Sequence, residues 1–79
     1  MEKTFSILAE QFRPMILSYL RSLSGDPHVA EDLAQETFLA AHESIEKFEL
    51  DADFGAWLRG IARNKFLQHQ RGSDRKSVV

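Results

Sequence analysis

The side chains best suited to chemistry crowd into one short stretch, Asp53 to Arg63, reading D-F-G-A-W-L-R-G-I-A-R. Phe54, Leu58, Ile61 and Ala62 recur at three- and four-residue steps, so at about 100° per residue they share one side of a helix. Asp53 has the short acceptor side chain that caps a helix start. Arg59 and Arg63, one turn apart, fall on the opposite side. Trp57 and Asn64 share an edge between these faces, and Lys65 and Arg71 add further cations beyond it. Such a helix has a core side, a cationic side for phosphates and an edge offering a π-face and an amide, the groups that hold an unpaired nucleic acid strand. The same pattern also fits a plain core helix whose arginines sit in water.

A second stretch carries chemistry of the opposite sign. From Pro27 to about Glu46, Ala30, Leu33, Ala34, Thr37, Ala41 and Ile45 cluster on one helical side. Opposite them lie Asp32, Gln35, Glu36, Leu39 and Glu43. Leu39 is thus centred in an acidic stripe, as far from the core as the helix permits. That stripe is either a solvated face or an anchor for a basic partner surface.

The charge map repeats the contrast. Residues 1–23 sum to +1, residues 24–53 to −8 and residues 54–79 to +5, which gives the overall −2. An acidic middle beside a basic end implies two surfaces with different partners, or two segments that attract each other within the fold.

Other chemistry is missing. His28, His42 and His69 stand far apart, outside any metal-ligand spacing, and there is no cysteine to supply a thiolate. No glycine-rich phosphate loop occurs, and no base signature accompanies the serines. Neither a metal, a cofactor nor an enzyme is expected. No apolar run of about 18 residues exists to span a membrane, and the N-terminus lacks a signal-peptide build. The expected compartment is the cytoplasm.

The elements that must position these groups are helical, and 79 residues allow one domain with a modest core. Phe5, Leu8, Phe12, Met15, Ile16, Tyr19, Leu20 and Leu23 give residues 4–23 an apolar stripe. Pro14 predicts a kink or break near Arg13, because it removes a donor and crowds the carbonyl of Glu10. Gly25 suits a left-handed helix end, Asp26 an N-cap and Pro27 a first helical position. Lys47 to Ala52 links the second and third helices, and the third reaches about Gln70. The expected fold is all-α, a small bundle of three helices, or four if Pro14 breaks the first. Residues 72–79 are expected to be a flexible tail or the start of a linker.

In linear order, E-D-L-A-Q-E-T-F (Glu31–Phe38) precedes F-G-A-W-L-R-G-I-A-R-N (Phe54–Asn64), and F-R-P-M-I-L-S-Y-L-R-S-L-S-G-D-P (Phe12–Pro27) leads in. This arrangement resembles the second conserved region of bacterial sigma factors, specifically the extracytoplasmic-function group, from about Phe5 to about Arg71. The resemblance implies a helical promoter-binding domain spanning residues 1–71. It implies docking of Asp32, Gln35, Glu36, Leu39 and Glu43 on the coiled coil of the largest RNA polymerase subunit, with Phe38 assigned to packing. It also implies that the loop before the last helix, with that helix, holds the unwound minus-ten promoter strand. The matching positions are Phe48, Glu49, Leu50, Asp51, Trp57 and Asn64, with Arg59, Arg63, Lys65 and Arg71 as phosphate contacts. An anti-sigma factor is a further partner class that the resemblance brings in.

Family members usually carry another short helix before Phe5 and a second helical domain, so the chain is expected to be a fragment of a longer protein. The competing readings are a helical protein-interaction module without DNA binding and a double-stranded DNA-binding helix-turn-helix. Phosphate repulsion by the acidic helix after Gly25 argues against the latter.

Overall fold

A computed structural model describes residues 2–48 and 52–78 of the chain. Three helices pack together: α1 (Glu2–Ser24), α2 (Pro27–Ser44) and α3 (Phe54–Val78), with a short 3-10 turn over Ile45–Lys47. The described residues contain no strand, and the all-α, three-helix expectation holds. None of the described helices is long and apolar enough to cross a membrane.

Local chemistry sets the boundaries. Gly25 is left-handed at φ 72° and donates its backbone N–H to the Arg21 carbonyl at 2.8 Å, closing α1. Asp26 is extended, and its Oδ1 accepts from the backbone N–H groups of His28 (2.9 Å) and Val29 (3.5 Å). Those are two of the donors a helix start leaves without an intrahelical partner. Asp53 does the same for α3, its Oδ1 accepting from the Ala56 N–H at 3.2 Å. Both caps and the placement of Pro27 agree with the sequence.

Two expectations change. Pro14 does not break α1, which is helical throughout from Glu2 to Ser24. Proline costs a helix interior about 3 kcal/mol, but buried residues on both sides of it, Phe5 before and Ile16 and Leu20 after, pack into one core. Packing of an amphipathic face supplies most helical stability in proteins. Pro14 and Glu10 are both exposed, so water reaches the side of the helix where the hydrogen bond is lost. The second change is at the other end. The helix runs to Val78 rather than ending near Gln70, because extending a formed helix over polar residues costs little once it is nucleated.

The core joins one face of each helix. Ile16, Leu20, Ala30, Ala41, Leu58 and Ala62 have no exposed surface, and Leu33 and Ala34 are 2% exposed. Thr37 is also fully buried, with its hydroxyl donating to the Leu33 carbonyl at 2.7 Å, so no polar group is stranded there. Ile45 and Ile61 are only half-buried. Leu23, counted in the apolar stripe of the first helix, is 36% exposed, because it lies at the end of α1, where the chain turns away.

Candidate docking stripe and strand platform

The packing of α2 fixes where its acidic stripe faces. With Ala30, Leu33, Ala34, Thr37 and Ala41 buried against α1 and α3, the opposite side must meet water. Asp32, Gln35, Glu36, Leu39 and Glu43 are all exposed, Leu39 by 58%. Phe38 is half-buried and packs on the core. Beside the stripe, α1 and α2 enclose a groove of about 340 Å³. Its walls include Glu10 and Arg13 from α1 and Gln35, Leu39 and His42 from α2. The α1 contribution was not legible beforehand, since it depends on which turns of two helices lie side by side.

The second constellation lies where the 3-10 turn meets the start of α3. The Phe48 N–H donates to the Ile45 carbonyl at 3.1 Å, ending the turn, and the Trp57 N–H donates to the Asp53 carbonyl at 3.0 Å, opening the helix. These ends bring the rings of Phe48 and Trp57 to 4.9 Å between centres, tilted by 43°. Phe54 closes the group, edge-on to Phe48 at 5.4 Å and tilted to Trp57 at 5.6 Å. Such separations are those of favourable aromatic pairs. Phe12 of α1 reaches Phe54 at 5.4 Å. It does so beside Gly55, where a Cβ would stand 3.0 Å from the Phe12 ring. A side chain at that position would force the ring aside.

The cations are less evenly placed than their spacing implies. Arg59 and Arg63 are exposed, as is Asn64, while Lys65 is half-buried. Asn64 stands two turns from Trp57, roughly 10 Å along the axis, and Arg71 about 21 Å from it. Arg71 is therefore not part of the cluster around Phe48 and Trp57. Glu49, Leu50 and Asp51 lie outside the described residues. Among the described residues no group of three or more His, Asp or Glu side chains is placed to hold a metal ion. Phe54 and Phe12 are the residues sequence reasoning missed here. Their apolar periodicity marked them as core, and nothing local showed that Phe54 packs against Phe48 and Trp57 with Phe12 behind it.

The family model for sigma-70 region 2 matches residues 8–76, nearly the whole chain. The chain belongs to the sigma-70 region 2 family. Among curated relatives it is 40% identical over 70 residues to the ECF RNA polymerase sigma factor BldN of Streptomyces coelicolor, covering 87% of this chain and 26% of that protein. It is 32% identical over 76 residues to the ECF RNA polymerase sigma factor SigM of Bacillus subtilis, covering 96% of this chain and 46% of that protein. SigW of the same organism is 32% identical over 70 residues, covering 89% and 37%. The chain thus spans less than half the length of these relatives. No solved structure matches it. As a sigma region 2 domain, it presents an acidic, leucine-centred stripe on α2 and an aromatic and cationic surface where α3 begins.

Proposed function

We propose that this domain docks on the RNA polymerase core through the α2 stripe and holds the unwound minus-ten promoter strand at the start of α3. Both contacts take place in the cytoplasm. The observation that carries this reading is the pairing of Phe48 with Trp57, 4.9 Å apart and half-buried, next to the exposed Arg59, Arg63 and Asn64. Half-buried rings keep a face for an unpaired base, and stacking on such a face is worth about 1–3 kcal/mol per base. Arginines on the adjoining surface neutralise phosphates, and an amide pairs with a base edge.

The α2 stripe answers to a different partner. Leu39 supplies an apolar anchor, ringed by Asp32, Glu36 and Glu43, which favour a basic partner surface. Family membership and the relatives' names support the transcriptional role. An anti-sigma factor would compete for the same exposed groups.

The test is a pull-down with a fragment carrying the coiled coil of the largest polymerase subunit, run beside a titration of single-stranded minus-ten oligonucleotides. Binding of both partners supports the proposal. Binding of neither makes the domain a helical interaction module, and polymerase binding without strand binding removes the second half of the reading.

A further inference from the structure

Phe54 stands between two groups of aromatic rings. On one side are Phe48 and Trp57, at 5.4 and 5.6 Å. On the other are Phe12 and Phe5 of α1, at 5.4 and 6.3 Å. Phe54 is 9% exposed, so it cannot offer a face to a ligand, whereas Phe48 and Trp57 can. Trp57 is carried by α3 and has a backbone that the helix holds. Phe48 follows the 3-10 turn, with an extended backbone at φ −74° and ψ 128°. Its ring is therefore located by the side chains it touches, and two of these are Phe54 and Trp57.

We propose that Phe54 is a positioning residue for strand binding. It holds Phe48 against Trp57 so that the two rings present one stacking platform, and it does not touch the strand itself. Resting on the strand-holding function proposed above, the inference adds a residue that acts through its neighbours. Phe12 provides the comparison. It packs on Phe54 at the same distance as Phe48 does, but from the α1 side, and among the described residues its ring contact is with Phe54. A purely structural account ties each variant's loss of affinity to its loss of stability, which is larger for the buried Phe54 than for the half-buried Phe12.

The experiment compares Phe54→Leu and Phe12→Leu in the intact chain by thermal melting, Trp57 emission and affinity for a single-stranded minus-ten oligonucleotide. Trp57 is the single tryptophan, so its emission reports on the platform alone. Both variants should melt earlier. Phe54→Leu should move the emission to longer wavelength and weaken strand binding about tenfold, comparable to losing one base–aromatic stack. Phe12 reaches Phe48 and Trp57 only through Phe54, so Phe12→Leu should move the emission less and, for the same loss of melting temperature, lower the affinity less than Phe54→Leu does. Should Phe54→Leu not fold, Phe54→Met, closer in volume, carries the same expectations. Equal losses of affinity in proportion to stability, or an unmoved emission with unchanged affinity in the Phe54 variant, would overturn the proposal. A wild-type chain that binds no oligonucleotide overturns the strand-holding function itself, and with it this role, which is a distinct result.

Discussion

Leu39 and Asn64 owe their places to opposite sides of different helices, and each yields a separate expectation. Leu39 is 58% exposed and Gln35, one turn earlier, is exposed too. Replacing both with arginine removes an apolar anchor and adds two charges of the partner's sign. The double variant should melt near wild type and lose polymerase binding in the pull-down. Unchanged affinity in the folded protein would move the docking surface elsewhere. Asn64→Ala and Arg63→Ala separate reading from holding. An amide on a base edge discriminates by about 1–3 kcal/mol, so Asn64→Ala should flatten base preference across an oligonucleotide panel more than it lowers mean affinity. Arg63→Ala should weaken all sequences alike and reduce the salt slope by about 1. Binding curves at several salt concentrations distinguish the two. Both residues were recognisable from spacing alone, because exposure on a helix follows from periodicity. The packing behind Phe48 and Trp57 was not, since Phe54 and Phe12 meet from parts of the chain some forty residues apart, roughly 60 Å if both lay on one helix.

Pro14 shows how far packing outweighs local preference in a helix. A reading based on propensity kinks or breaks α1 there, yet one helix passes through, held by Ile16 and Leu20 on one side and Phe5 on the other. The proline penalty remains in the folded state, so removing it should help. Pro14→Ala recovers up to about 3 kcal/mol of helix preference, less about 0.4–1 kcal/mol for a looser unfolded chain. The expected melting point is several degrees above wild type, and a lower one would mean that the ring packs on something. Caps behaved in the opposite way: Asp26, Gly25 and Asp53 declare themselves through short-range bonds, and the sequence located each of them. The core faces also followed from periodicity, with a grading that periodicity does not supply. Leu33 is 2% exposed whereas Ile61 is half-buried. Leu33→Ala should therefore cost about 2–5 kcal/mol, and Ile61→Ala clearly less. Chemical denaturation of the pair would show the order, and equal losses would mean that Ile61 is as tightly enclosed as Leu33.

At the scale of the whole molecule, the bundle keeps two opposite fields apart. The −8 of residues 24–53 includes the stripe on the outer side of α2, and the +5 of residues 54–79 includes Arg59 and Arg63 on the outer side of α3. Each helix is about 10 Å across with its side chains, and the Debye length at physiological salt is about 8 Å. A charge added to one face is therefore largely screened at the other. Under the proposed function, this arrangement would let a chain of net charge −2 serve a basic protein partner and an anionic strand together. It also predicts that the two binding activities are energetically separable. The Gln35→Arg and Leu39→Arg double variant should keep strand affinity within about twofold at physiological salt, as expected for sites without shared partners. Arg63→Ala should likewise leave docking on the coiled coil unchanged. Combining all three substitutions should give losses that add. Lowering the salt lengthens the field, to about 30 Å at 0.01 M, and at that point the added arginines on α2 should begin to strengthen strand binding. Titrations at the two salt concentrations check this directly. A large loss of strand affinity in the α2 variant at physiological salt would mean that the two surfaces communicate through the core rather than through solvent.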